Sequence, residues 1–272
     1  MNSKTIQGVD VPEIGLGTFK LIGKAGEQAI KSAINIGYRH IDTAQDYKNE
    51  KMVGQAIKQS NVDREEIFVT TKVDRFQLEP AKLLTSVEQS LLDLQMEYVD
   101  LLLIHWPNPD VEIRRTLEAL FTLKEQGRAR QIGVSNFPMS LLKEVVEELN
   151  APIFCNQVEY HPLLGQFDLL DFAADFDLLV TAYSPLGQKQ ILDNPRLMEI
   201  GKKYGKSAAQ IALRWLVEQE QVVVIPKSAS IEHLEENFNI YDFELEDNDF
   251  YAIDDLDKTH RIVNPGFAPV WD

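Results

Sequence analysis

Three apolar runs in this 272-residue chain end in ionisable side chains: HI-Asp42, VTT-Lys72 and LLLI-His105. Tyr47 follows Asp42 by five residues. A phenol, an ammonium, a carboxylate and an imidazole together suit the reduction of a carbonyl. A hydride arriving at the carbonyl carbon leaves charge on the oxygen, and that oxygen needs a proton. A free phenol, with a pKa of about 10, is a poor donor near neutrality. An adjacent ammonium favours the phenolate and would make Tyr47 a stronger acid. Asp42 would hold Lys72 in place and keep it charged, and His105 would orient the carbonyl oxygen by a hydrogen bond. Each residue also has an ordinary reading. Asp42 could cap a helix, Lys72 could snorkel outward, and His105 could be a satisfied core histidine. Convergence on successive strand ends favours the shared site.

A frame that brings strand ends together is visible along the chain. Short runs rich in β-branched residues alternate with longer amphipathic stretches, the mark of βα units and a parallel sheet. The runs are 15–19, 40–44, 67–73, 99–106, 129–137, 153–161, 178–186 and 222–228. Most are apolar on both faces, as strands covered by helices should be. Leu142, Val145, Val146 and Leu149 keep one helical face. So do Leu169, Phe172, Ala173 and Phe176, and likewise Ile231, Leu234 and Phe238. Ser207 fits an N-cap, and Gly37 and Gly127 fit helix C-termini. Polar residues near the strand ends stand at 42, 72, 105, 135, 157, 183 and 227. The widest interval, after 183, leaves room for an extra helix at 195–205. Eight such units in one chain predict a single domain over 1–272. It is a TIM (β/α)8 barrel with a short N-terminal hairpin in KTIQGVDVP and extra C-terminal helices. An open doubly wound sheet is the competing architecture.

Two glycine motifs are decoys. Gly15-Leu16-Gly17 lacks a third glycine, since position 20 is Lys20, and no helix follows at once. GKKYGKS at 201–207 is one residue short of a phosphate loop and follows a helix rather than a strand. The five histidines never form His-x-His, so no metal site is expected. Lys+Arg is 27 against 43 Asp+Glu, a net charge of −16, opposite to what a nucleic-acid or anionic-membrane partner requires. A single cysteine, Cys155, permits no intrachain disulfide and fits a reducing cytoplasm. No apolar run is long enough for a membrane helix, and the N-terminal stretch lacks the features of a secretory signal.

Further motifs carry a resemblance. GYRHIDTAQDYKNEKMVGQAI (37–57), VTTK (69–72), VDLLLIHWP (99–107), IGVSNF (132–137), NQVEYHP (156–162), AYSPLG (182–187) and VIPKS (224–228) stand in order at strand ends. In these the chain resembles an aldo-keto reductase over essentially its full length. The resemblance implies a catalytic tetrad of Asp42, Tyr47, Lys72 and His105, with Tyr47 as general acid. It implies NADPH as cofactor; weaker use of NADH is expected from His233, which departs from the family pattern. Thr18, Asp42, Ser135, Asn136 and Gln157 would meet the nicotinamide end, and Tyr183 would stack on its ring. Ser184, Leu186 and Gln188 would border the pyrophosphate. Lys227, Ser228, Ser230 and His233 would face the 2′-phosphate, and Glu236 and Asn237 the adenine.

Three positions depart from the family pattern. Phe19 and Asp74 stand where tryptophan is common in the pocket, and His233 where arginine is common at the 2′-phosphate. An arginine offers phosphate a fixed fork of donors that an imidazole lacks. Short loops and the brief tail THRIVNPGFAPVWD imply an open pocket walled by Phe19, Asp74, Trp106 and Trp271 beside Tyr47 and His105. Small polar carbonyls are therefore expected, such as methylglyoxal and keto sugars or keto acids like 2,5-diketo-D-gluconate. The protein is expected to act on them as a monomer. A TIM-barrel glycosidase is an alternative; it needs two facing carboxylates about 5–9.5 Å apart, and only Asp42 and Glu159 offer themselves. A non-catalytic nicotinamide-binding subunit with the same fold is another.

Overall fold

The structure, a computed structural model, describes residues 2–272. It opens on a hairpin, β1 (Ser3–Ile6) and β2 (Val9–Pro12), paired antiparallel from Ser3–Pro12 to Ile6–Val9. Eight parallel strands follow in one sheet, in spatial order identical to chain order. They are β3 (Leu16–Gly17), β4 (His40–Asp42), β5 (Phe68–Val73), β6 (Val99–Ile104), β7 (Ala129–Ser135), β8 (Cys155–Glu159), β9 (Leu179–Tyr183) and β10 (Val222–Val224). The ring closes between its first and last strands. Gly15 N donates to Val224 O at 2.8 Å, Val224 N to Glu13 O at 2.8 Å, and Gly17 N to Pro226 O at 3.1 Å. A Cβ on Gly17 would lie 2.7 Å from Ile225 O. The glycine that invites a dinucleotide fingerprint is thus required by barrel closure.

The crossover helices are α1 (Gly23–Ile36), α2 (Glu50–Lys58), α3 (Pro80–Leu94), α4 (Ile113–Glu125), α5 (Met139–Lys143), α6 (Phe167–Asp175), α7 (Pro195–Tyr204), α8 (Ala208–Val217), α9 (Ile231–Phe238) and α10 (Asp247–Asp254). The extra helix predicted at 195–205 is α7. Ser207 caps α8 in a full capping box with Gln210. Gly37 N closes α1 on Ala33 O and Ile34 O. The face predicted for 142–149 is kept differently: α5 stops at Lys143 and the chain continues as a wider π-turn over Glu144–Glu148. Among the described residues no helix is long and apolar enough to cross a membrane.

Strand alternation decides what the barrel presents at its mouth. Phe68, Leu101, Leu103, Phe154, Cys155, Leu179 and Val223 fill the interior, closed below by Ile6 and Val11 of the hairpin. Their neighbours Val69, Leu102, Ile104, Val180 and Val224 face the helices. Continuing the inward series by twos from Phe68 reaches Lys72, from Leu103 reaches His105, and from Cys155 reaches Gln157 and Glu159. Cys155 itself is fully buried, and burial pushes its thiol up to about 12, so it is inert near neutrality.

Candidate active site

Lys72 is fully buried and still charged-partnered. Its Nζ donates to Asp42 Oδ1 at 2.5 Å and to Thr43 O at 2.8 Å, and lies 3.4 Å from Tyr47 OH. Tyr47 sits on the short turn Gln45–Tyr47 that follows β4, its ring 5.1 Å from Phe19 and 5.6 Å from His105. The turn is fastened by side chains. Asn49, buried, donates to Thr18 O and Leu21 O and accepts from Thr43 Oγ1. Gln45 bonds Ser86, Ser90 and the Asp74 amide.

Burial works against the acidity expected of Tyr47. The Lys72 ammonium, 3.4 Å from the phenol oxygen, favours the phenolate. Burial dominates and pushes the phenol well above its ordinary value, with Asp42 and Asp46 adding to the rise. Burial also pushes Lys72 downward, while Asp42 resists. Burial and the Lys72 charge lower His105 to about 3, so this imidazole is neutral throughout the physiological range. The mouth therefore holds a protonated phenol and a neutral imidazole around one paired ammonium.

The residues expected at the nicotinamide end are wired to this group. Gln157 Nε2 donates to Asp42 Oδ2 at 2.8 Å. Ser135 Oγ donates to Gln157 O, and Asn136 Nδ2 to His105 O and Ser135 Oγ. Tyr183 OH donates to Asn136 Oδ1 at 2.7 Å, which pins its ring. Thr18 lies beside Asp42 through its amide, and its buried Oγ1 has no protein partner. A buried unpaired hydroxyl is the kind of atom a bound polar group satisfies. Asn136, Ser184 and Gln188 all take positive φ (62°, 48° and 48°), as do Lys20, Lys48 and Lys189 in the same mouth loops. Non-glycine residues held there are strained, and such strain gathers at ligand clamps. Lys227 is exposed and, among the described residues, has no carboxylate within ion-pairing distance. Ser228 is buried and bonds Ser230 N and O. The Ser230 hydroxyl caps α9 by accepting from His233 N, which leaves its O–H free to donate. Exposed His233, half-buried Glu236 and buried Asn237 follow on α9, and half-buried Leu186 lies in the β9–α7 loop.

At the pocket wall, Trp106 packs edge-on to Trp271 at 6.1 Å and to Phe267 at 5.5 Å. Phe267 escaped the sequence reading, as no local pattern marks a loop residue that returns over the barrel. Asp74 is engaged locally. Its carboxylate caps the turn Arg75–Gln77 by accepting from Phe76 N at 2.8 Å, and it lines a groove between α2 and α3.

Glu159, fully buried, is the anchor of the C-terminal tail. Its oxygens accept from Ile262 N and Val263 N at 2.8 Å each, and from His161 Nε2 at 3.1 Å. Burial alone would raise this carboxyl, but those hydrogen bonds win and hold it below its ordinary value. Committed in this way, and with Asp42 bound to Lys72, it leaves no carboxylate pair for glycoside hydrolysis. The clamp's contribution is complete at neutral pH and fades as pH falls below about 4.3, the ordinary glutamate value, toward the lowered folded one. Glu159→Gln would set an amide NH2 against backbone N–H donors, at a cost of about 1–3 kcal/mol. The expected result is a tail that proteases cut faster and a raised KM for the carbonyl substrate, with kcat little changed. Wild-type protease resistance in that variant would remove Glu159 from this role.

A closed parallel barrel with a Tyr–Lys–Asp–His cluster at the C-terminal strand ends defines a class of barrel oxidoreductase. The aldo/keto reductase family model matches residues 13–258, and the chain belongs to that family. It is 44% identical over 260 residues to the glyoxal reductase of Bacillus subtilis, covering 95% of this chain and 94% of the relative. It is 38% identical over 268 residues to a methylglyoxal reductase of Yersinia pestis, covering 97% and 100%. The crystal structure of a protein provisionally described as a 2,5-diketo-D-gluconic acid reductase B superposes with a TM-score of 0.95 at 40% identity, over 100% of this chain and 98% of that one.

Proposed function

We propose that the protein is an NADPH-dependent reductase of small polar aldehydes and ketones, methylglyoxal among them, with Tyr47 as the general acid. The observation that carries this reading is the Tyr47 hydroxyl 3.4 Å from Lys72 Nζ, beside neutral His105. Bound NADPH supplies the hydride that attacks the carbonyl carbon. His105, neutral, gives the carbonyl oxygen a hydrogen bond without competing for its proton. Tyr47 keeps its proton across the neutral range and passes it to the oxygen as negative charge develops there. Lys72 then steadies the phenolate until water returns the proton. Gln157 and Asn136 hold Asp42 and His105 in register and turn polar groups toward the carboxamide. The orphaned Thr18 hydroxyl and the unpaired Lys227 fit the two ends of the same cofactor.

At the 2′-phosphate, Lys227 favours NADPH and Ser230 keeps a hydroxyl donor, but His233 replaces an arginine. A hydrogen bond between charged groups is worth about 1.5–3 kcal/mol, and an exposed site lies at the low end. NADPH should therefore be preferred over NADH in kcat/KM, and His233→Arg should widen the ratio by about tenfold. Steady-state rates with both cofactors on methylglyoxal check this. A ratio unmoved by His233→Arg would mean that residue 233 does not face the phosphate.

A further inference from the structure

Two arginines at the mouth lack acidic partners in a chain with 43 acidic and 27 basic residues. Arg261 Cζ lies 3.8 Å from the Trp271 ring, and Arg75 Cζ lies 4.5 Å from the Phe267 ring. Those are the two rings that meet Trp106, next in sequence to His105. Arg261 Nη1 and Arg75 Nε are buried and have no hydrogen-bond partner. Arg64 also has a buried unpartnered Nε, but it reaches Asp100, and Arg115, Arg128, Arg130, Arg196 and Arg214 reach carboxylates too.

The acidic groups near Arg261 are already committed. Its charge is felt by Glu159, Tyr183 and Asp272. Glu159 accepts three hydrogen bonds from other groups, and Asp272 accepts from Met139 N. Leaving a buried guanidinium N–H unpaired is costly, and a planar fork of donors is suited to a carboxylate. Arg261 lies over the Trp271 ring at the tail, and that ring packs on Trp106 of the pocket wall. Arg75 is held between Phe76 and Phe267 and adds a second positive charge at the same wall. In a protein of net charge −16, such a local cation offsets the repulsion that an anionic substrate otherwise meets.

We propose that Arg261 is a substrate-binding residue that takes the carboxylate of an oxo acid, so that the preferred substrates are small aldehydes or ketones carrying a carboxylate. This rests on the carbonyl-reductase reading above and narrows its substrate class. Arg75 supports the site through charge, and Trp271 through the orientation of the guanidinium.

The test compares 4-oxobutanoate with its methyl ester, which keeps the aldehyde and removes the charge. Wild type should favour the acid in kcat/KM by about 10- to 100-fold, the range for a hydrogen bond to a charged group. Arg261→Gln should abolish that preference while leaving the ester rate and NADPH binding as they are. Arg261→Lys should keep part of it, having charge without the fork. Succinate, which cannot be reduced, should perturb tryptophan fluorescence of the cofactor-free wild type and not that of Arg261→Gln. Equal wild-type rates on acid and ester overturn the proposal and leave the reductase reading standing. So does an Arg261→Gln variant that weakens both substrates equally, or one that loosens NADPH while keeping the acid-to-ester ratio, which would give the guanidinium to a cofactor phosphate. Wild type that reduces neither aldehyde overturns both readings together.

Discussion

Tyr47→Phe is expected to lower kcat by about 10²–10⁴-fold, the usual effect of losing a general acid. The ring remains, so its packing on Phe19 and His105 and the walls of the pocket are retained. Cofactor binding and thermal stability should therefore stay near wild type. In the free protein the phenol is pushed up by burial, so Tyr47 is a filled proton store at every pH from acid to mildly alkaline. His105, lowered to about 3, does not titrate in that span either. The wild-type rate should accordingly show no acid limb from His105 above about pH 4. Rapid-mixing measurement of the chemical step in wild type and Tyr47→Phe checks the assignment. An unchanged step in a folded variant would move the proton donor elsewhere.

Asp42→Asn is expected to damage both stability and activity. Lys72 is fully buried, and Asp42 is its one carboxylate partner, at 2.5 Å. Removing one member of a buried pair leaves an uncompensated charge and costs about 3–5 kcal/mol. For a chain of this size that is roughly 10 °C in Tm. Activity should fall with it, since Lys72 loses its anchor beside the Tyr47 hydroxyl. The pH dependence has a definite sign. Burial already lowers Lys72, and Asp42 is the leading influence that raises it. Without Asp42 the folded pKa drops further below the unfolded one, and the unfolded chain binds more protons. Stability of the variant relative to wild type should then recover as pH rises from neutrality, when Lys72 sheds its proton in the folded state. Chemical denaturation across that range reads it. A stability gap that widens with pH would show that Lys72 is not the group left unpaired.

The sequence exposed the barrel, and the gathering of Asp42, Lys72 and His105 at its mouth, because both follow from strand alternation. Asp42, Lys72 and His105 each continue an inward series by twos, and a run of apolar residues ending in one ionisable group is readable without coordinates. Ser207 and Gly37 were readable for a similar reason, since caps are local chemistry. What escaped depends on residues distant in the chain. Glu159 meets Ile262 and Val263 across more than 100 positions, so a carboxylate that looked available is a tail clamp. Phe267 and Arg261 reach the mouth because that clamp, with the bonds of His260 N to Leu163 O and Gly165 N to Lys258 O, returns the tail over the barrel. That Asp74 caps a turn through Phe76 N was not read from the family pattern that put it at the pocket. Burial, which opposes the acidity expected of Tyr47, escaped because charge type is legible in sequence and burial is not.

The central claim is that hydride passes from bound NADPH to a carbonyl carbon at the Tyr47 end of this barrel. The most direct measurement supplies NADPH deuterated at the transferable nicotinamide position together with methylglyoxal, and analyses the alcohol by mass spectrometry. The account predicts one deuterium on the former carbonyl carbon for each cofactor oxidised, and almost none formed by Tyr47→Phe. Protein that binds NADPH but leaves both cofactor and methylglyoxal unchanged, or an alcohol without deuterium, would contradict it.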